Sequence, residues 1–120
     1  MGERLQFITH RGKQILLIDL SHCSPGQVEK IVRHVPDIVT TQARASVLIL
    51  ADYTGAEVDK EAFRTIEQTA VFDKPFVKRS AWVGAERFPE VFRKNLKNFS
   101  GREFPTFKSR EDALDWLTSE

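Results

Sequence analysis

One cysteine, Cys23, stands in a chain of 120 residues. No internal disulfide can form, and a reducing cytoplasm is the expected compartment. Long apolar runs are missing as well: the longest, at 15–18 and 47–51, fall far short of the roughly 20 residues that a membrane-spanning helix needs. The opening MGERLQF has no basic stretch followed by an apolar one, so no signal peptide is expected. Gln6 stands where a myristoylation signal after Gly2 requires Ser or Thr. No Walker loop and no Gly-x-Gly-x-x-Gly occurs, which leaves nucleotide binding without a motif. No Gly-x-Ser-x-Gly elbow accompanies Asp19, Ser21 and His22, and DLSHCSPG is adequately explained as a strand end followed by a helix cap. His10, His22 and His34 share no spacing that sets two rings on one helical face, and His22-Cys23 fits no zinc pattern, so neither a metal nor a cofactor is expected.

What is present suits a folded domain. Hydrophobic residues make up 41% and charged residues 29%, too apolar for a disordered chain, and the length suits one domain over 1–120 with a real core. RLQFITH at 4–10 and KQILLIDL at 13–20 read as strands joined by the short turn Arg11-Gly12, an antiparallel hairpin. Ser24-Pro25-Gly26-Gln27 offers an N-cap, a first-turn proline and a Gln three residues on, a capping box. Val28, Ile31, Val32, Val35, Ile38 and Val39 continue at helical spacing, with a kink or break expected at Pro36. ASVLILADY is apolar without interruption, the pattern of a central strand buried on both faces between parallel neighbours. Asp59 can cap a second helix carrying Phe63, Ile66 and Ala70 on one side. FVKRSAWVG at 76–84 is a fourth strand, with Trp82 in the core. Phe88, Val91, Phe92, Leu96 and Phe99 form the stripe of a third helix that Ser100-Gly101 stops. EFPTFKS is a short last strand. Ser109 opens a closing helix whose Ala113, Leu114, Trp116 and Leu117 face inward. The predicted fold is α/β: a mixed, mostly parallel five-stranded sheet with an N-terminal antiparallel hairpin and about four helices.

ILLIDLS, SVLILADYTGAEVD, FVKRSAWVG, FSGREFPTF and SREDALDWL, taken in order over almost the whole chain, resemble the SpoIIAA-like branch of the STAS domains, also described as STAS/SEC14-like. The most specific parts are the Asp-x-Thr-Gly turn, the Gly-Arg-x-Phe step at 101–104 and the closing REDALDWL. The resemblance implies a bacterial source and an interaction or regulatory role like that of anti-sigma-factor antagonists. In those proteins the turn reads Asp-Ser-Ser/Thr-Gly and a partner kinase phosphorylates the serine directly after the aspartate. Tyr53 holds that position here, and Thr54 sits one place later, so the switch does not carry over.

The candidate binding loop is therefore 52–59, with Asp52, Tyr53, Thr54, Gly55 and Glu57, at the carboxyl end of a strand where helix N-termini direct free N–H groups. One reading is structural: Asp52 and Thr54 bond to backbone and Gly55 supplies a positive φ. The other is an unmodified recognition surface, with Tyr53 offering ring area and a hydroxyl to a partner. Charge marks a second candidate. Residues 74–110 hold ten Lys or Arg against three Asp or Glu, whereas residues 111–120 hold four acids and no base. Arg93, Lys94 and Lys97 on the third helix, with Lys78, Arg79, Arg87 and Arg102 near in sequence, could attract an anionic partner, or could be an ordinary solvated face. Nucleic acid is disfavoured because the phenylalanines lie on the apolar stripe and do not interleave with the bases. The expected activity is non-catalytic binding of a protein partner. The alternative is a carrier or sensor of a small apolar or anionic ligand or a lipid, and a homodimer is compatible with either.

Overall fold

The computed structural model describes residues 4–119; Gly2, considered above for acylation, and Glu120 lie outside them. Strand β1 (Leu5–His10) turns into β2 (Lys13–Asp19) through Arg11 and Gly12, whose φ values of 51° and 77° give the twist that a two-residue hairpin requires. Helix α1 (Pro25–Val39) starts at the anticipated capping box: the Gln27 N–H donates to Ser24 Oγ (3.3 Å), and the Ser24 N–H donates to Gln27 Oε1 (2.9 Å). Of the kink or break expected at Pro36, the break does not occur: the helix runs on to Val39. A helix-interior proline costs about 3 kcal/mol, but Val32, Val35 and Val39 are all buried along this stretch. Burying each such side chain contributes roughly 1.5–3 kcal/mol, which outweighs that cost.

Strand β3 (Val47–Asp52) is buried at all 6 positions and leads to α2 (Lys60–Asp73), whose first turn is capped by Asp59 Oδ1 accepting from the Ala62 N–H (2.9 Å). A 3-10 turn at Lys74–Phe76, which the sequence pattern did not suggest, precedes β4 (Val77–Val83). Helix α3 (Glu90–Ser100) stops at Gly101, φ 65°. Its stripe differs from the expected one. Phe92, Leu96 and Ser100 form the buried row at i, i+4 and i+8 and Phe88 is buried just ahead of the helix, whereas Val91 and Phe99, each one residue before a member of that row, are 69% and 71% exposed. Ser100 belongs in the row because its hydroxyl donates to the Leu96 carbonyl (2.6 Å). Strand β5 is only Thr106–Phe107, and α4 (Arg110–Thr118) follows, capped by Ser109 accepting from the Asp112 N–H (3.1 Å).

The sheet order is β1-β2-β3-β4-β5, with β1 antiparallel to β2 and every other pair parallel. The apolar β3 is therefore central, as its two-faced burial demands. Helices α1, α2 and α3 cover the face bearing Leu16, Ile18, Ile49, Ala51 and Trp82. Helix α4 lies across the opposite face, where Ala113 and Leu117 meet Ile15, Leu17, Leu48, Leu50, Ala81 and Val83. Leu114 and Trp116 are half-buried against that cluster, Trp116 lying beside Phe107 with the Arg79 guanidinium 4.8 Å from its ring centre. Among the described residues no helix is long and apolar enough to cross a membrane.

Ending the chain before Ser109 removes α4 and bares this second face. The loss should be on the order of several kcal/mol, comparable with a small domain's whole stability. Thermal and urea melts of the truncated chain should show an unfolded or barely folded protein; a melt like that of the full chain would contradict the role given to α4.

Candidate functional site at the carboxyl ends of the strands

The parallel register of β2 and β3 sets Asp19 opposite Asp52 at the strand ends. Each aspartate is followed two residues on by a hydroxyl, and each closes the same small turn. Asp52 Oδ1 accepts from the Thr54 N–H (2.9 Å) and hydroxyl (2.6 Å), while Asp19 Oδ1 accepts from the Ser21 N–H (3.0 Å) and hydroxyl (2.6 Å). Two adjacent carboxylates repel unless a cation joins them. Arg110, in the first turn of α4, reaches over from the second face: its Nε donates to Asp52 Oδ2 (2.6 Å) and its Nη2 lies 3.2 Å from Asp19 Oδ1. The Asp52 side chain is 7% exposed, that of Arg110 41%. Burial pushes the Asp19 carboxyl up, but the hydrogen bonds from Ser21 and the charges of Arg110 and Arg4 outweigh it and hold the group below its usual range. Sequence reasoning named Asp52 and Thr54 but missed Arg110; the repeated Asp-x-Ser/Thr at 19–21 and 52–54 was the available sign.

The rest of the loop is tied to its neighbours by backbone. The His22 N–H donates to the Thr54 carbonyl (2.8 Å), the Glu57 N–H to Cys23 (2.9 Å) and the Tyr53 N–H to Val83 (2.8 Å). Gly55 has φ 69°, and a Cβ there would lie 2.4 Å from His22 Nδ1; a Cβ on Gly84 would lie 2.7 Å from the Thr54 nitrogen. Both glycines allow close approach that no side chain permits. His22 thus lies against Gly55, while His10 Nε2 lies 3.0 Å from Asp115 Oδ1 and His34 Nδ1 3.6 Å from Asp37 Oδ2. Thr54, Gly55 and Glu57 are exposed.

Tyr53 corrects the expectation of a ring offered to a partner. It is 3% exposed and packs edge-on against Trp82 and Phe88, with ring centres 5.1 and 4.9 Å apart. Position 53 continues the inward alternation of Ile49 and Ala51 one step beyond the strand, so the ring enters the core beneath α1, α2 and α3. Burial raises its phenol well above the ordinary value, and a side chain so placed is out of a kinase's reach.

Below Tyr53 lies a cavity of about 50 Å³ with a polar end. There Asp73 is 4% exposed, and its Oδ1 has no hydrogen-bond partner among the described residues. Arg102 gives its donors elsewhere, Nη1 to the Ala70 carbonyl (2.8 Å) and Nη2 to Ser80 Oγ (2.5 Å), with its guanidinium 4.7 Å from the Phe104 ring centre. Burial pushes the Asp73 carboxyl up to about 6, Arg102 opposing only in part, and pushes Arg102 down to about 10.

The basic candidates on α3 do not converge. Arg93 is half-buried, with Nη2 donating to Thr106 Oγ1 (3.2 Å); Lys94 pairs with Glu90 (3.6 Å) and Lys97 with Glu103 (3.4 Å). Two of the three are thus already faced by carboxylates of this chain.

No family model matches the chain, and no curated protein matches it. Among solved structures it is similar to an uncharacterised protein of the DUF3478 family with a SpoIIAA-like fold from Shewanella loihica PV-4. The TM-score is 0.70 at 18% identity, over 94% of this chain and 91% of that one. Sheet order, helix placement and this likeness define a SpoIIAA-like α/β fold, the fold implied by the sequence resemblance. At such identity the likeness extends to the fold alone.

Two measurements probe these charges. Arg110→Ala strands the buried Asp52 carboxylate and should cost roughly 3 kcal/mol in urea unfolding, whereas Asp52→Asn should cost less because the half-exposed Arg110 can turn to water. Equal losses would show that the pair is not what holds Asp52. Because the folded-state value of Asp19 is depressed, its contribution is complete above the unfolded value of about 4 and is lost as pH falls through the folded one. Asp73 has the opposite sign: its folded value is raised, so stability falls as pH rises from about 4 to about 6. Asp73→Asn should therefore melt higher than the parent at pH 8 and lose that advantage at pH 4. A lower melt at both pH values would contradict the assignment of a penalised buried carboxylate.

Proposed function

We propose that this chain is a non-catalytic interaction module that binds a protein partner through the 52–59 loop and the outer side of α2. The observation that carries the reading is a loop both built and exposed: Thr54, Gly55 and Glu57 face solvent on a frame fixed by Asp52, Arg110 and three neighbouring strand ends, while the core beneath is nearly filled. A recognition surface that is already ordered loses little conformational entropy on binding. Val71 and Phe72, exposed by 47% and 56%, lie in the last turn of α2, at the opposite end of that helix from the loop. The hydroxyls of Ser21 and Thr54 and the carboxylates of Asp19 and Asp52 are engaged with one another and with Arg110, which suits a scaffold better than a reacting group.

Crosslinking in the native cells tests this reading. With Glu57→Arg in the full chain, the partners crosslinked by the parent should fall at least tenfold in yield while the melting temperature stays within a degree or two. The same partners at the same yield would sink the proposal. Tyr53→Ala is the contrasting variant: it should lose roughly 3–5 kcal/mol of stability, as large-to-small core changes do, so any loss of binding there accompanies loss of the fold.

The unpartnered Asp73 Oδ1 at the end of an apolar cavity favours one second reading, a carrier or sensor of a small ligand. A ligand of a few heavy atoms that donates a hydrogen bond would suit that oxygen and the volume. Native mass spectrometry of the purified chain decides its standing: a copurified mass lost in Asp73→Asn favours it, and a bare protein mass counts against it.

A further inference from the structure

Beside the 52–59 loop, α2 and α3 bound a groove of about 630 Å³. Each helix follows one of two adjacent parallel strands and packs on the same sheet face, so the two run the same way. The groove begins where the loop ends: Asp59 caps α2, and Arg87, just ahead of α3, donates from Nη2 to the Ala56 carbonyl (3.2 Å). Phe63 and Phe92 form its floor, with ring centres 4.3 Å apart. Arg64 and Glu67 stand on one wall, Val91 and Asn95 on the other. One turn farther along these rows come Val71, four positions after Glu67, and Phe99, four after Asn95. Of the four large apolar side chains that the described residues leave exposed, three, Val71, Val91 and Phe99, thus border this one line.

We propose that this groove takes an amphipathic helix of a protein partner; the inference rests on the interaction-module reading and gives that partner's contact a shape. Along α2 and α3 the N–H and C=O groups are paired within each helix, so the walls offer no main-chain partner to an extended segment, whereas a helix brings its own hydrogen bonds with it. Val91 and Phe99, eight positions apart on α3, stand about 12 Å apart along its axis, the spacing of residues i and i+7 or i+8 on one face of a helix laid alongside. A second copy of this chain fits less well: a twofold contact sets the concave surface against its own copy and leaves both grooves unfilled. The charges of the walls also call for a partner. Among the described residues Lys60, at the near end, has no carboxylate within 4.0 Å, and Glu67 has no cation within that distance. The two stand about 10 Å apart along α2, so the complementary helix carries an acid and a base about two turns apart beside its apolar row.

The test places the photocrosslinking residue benzoylphenylalanine at position 95 of the full chain, in the native cells, and maps the adducts by tandem mass spectrometry. The expected adducts join one partner segment at residues three, four or seven apart, and their yield falls at least tenfold in Val91→Glu and in Phe99→Lys, whose parent side chains are exposed, while both variants melt within a few degrees of the parent. If either melts lower, Val91→Thr and Phe99→Gln take their place in the comparison. A synthetic copy of the segment should bind the purified chain, gain helical circular dichroism on binding, and lose at least tenfold in affinity when a central residue is replaced by proline. Adducts with a second copy of this chain, adducts with lipid, partner residues two apart as in a strand, equal binding of the proline copy, or no adduct at all overturn the proposal. Glu57→Arg separates it from the reading on which it rests: a yield lost in that variant but kept in the groove variants sinks the helix site and leaves the loop standing, whereas a loss in the groove variants alone keeps the helix site and sinks the loop.

Discussion

Asp52 ends the central strand with a carboxylate that is almost wholly shielded from water, and the top of the molecule is arranged around keeping that charge satisfied. One oxygen takes the Thr54 turn and the other takes Arg110. Because Arg110 belongs to α4, the same contact clamps the one helix that the described residues place on the second face to the strand at the centre of the sheet. A buried ion pair is weak evidence of net stability, since an apolar pair of equal volume can do as well. It is better evidence of register: a helix slid by one turn would put Ala113 or Leu114 in the place of Arg110 and leave the carboxylates of Asp52 and Asp19 facing each other without a cation, which is strongly unfavourable. The pair therefore specifies where α4 sits, and through α4 which side of the sheet stays dry.

Much of this fold was legible because its rules are local. The capping box at Ser24, the caps at Asp59 and Ser109, the stop at Gly101 and the unbroken apolar run of β3 each depend on residues within a few positions of one another. The errors have equally definite causes. Tyr53 follows a strand and stands two residues before a glycine, which reads as loop, yet the alternation of β3 persists one residue past Asp52 and carries the ring inward. The α3 stripe leans toward Ser100 because its hydroxyl bonds within the helix, so a polar residue took the place expected of Phe99. At Pro36 the helix did not break, because the buried valines on either side of it hold it to the core. The partnership of Arg110 with Asp52 spans 58 positions and of His10 with Asp115 105 positions, and no local pattern records either.

The two ends of the sheet differ in how their polar groups are used. At the carboxyl ends, donors and acceptors are matched closely, and what faces outward is a fixed shape. Inside the cavity below Tyr53 one oxygen of Asp73 remains without a hydrogen-bond partner among the described residues, and near the amino end of β4 Arg79 and Arg102 are held by carbonyls and hydroxyls, with no carboxylate within 4.0 Å among those residues. Arg102 lines both of these spaces, bonded to Ser80 and Ala70 between them, and burial lowers its proton affinity while raising that of Asp73. Stability is thus spread unevenly over a small domain, as it is wherever binding surfaces draw on the less satisfied parts of a structure.

The lone helix on the second face also sets an order of events during synthesis. Ribosomes deliver β1, β2, β3 and β4 together with three helices that cover one side, and those elements can begin to pack as they emerge. Ile15, Leu17, Leu48, Leu50, Ala81 and Val83 have no cover until residues beyond 110 leave the exit tunnel. For that interval the nascent chain displays an apolar sheet face, the kind of surface that chaperones hold and that aggregates when they do not. A fold whose second core is closed by the helix at 110–118 cannot be completed before that helix has been made.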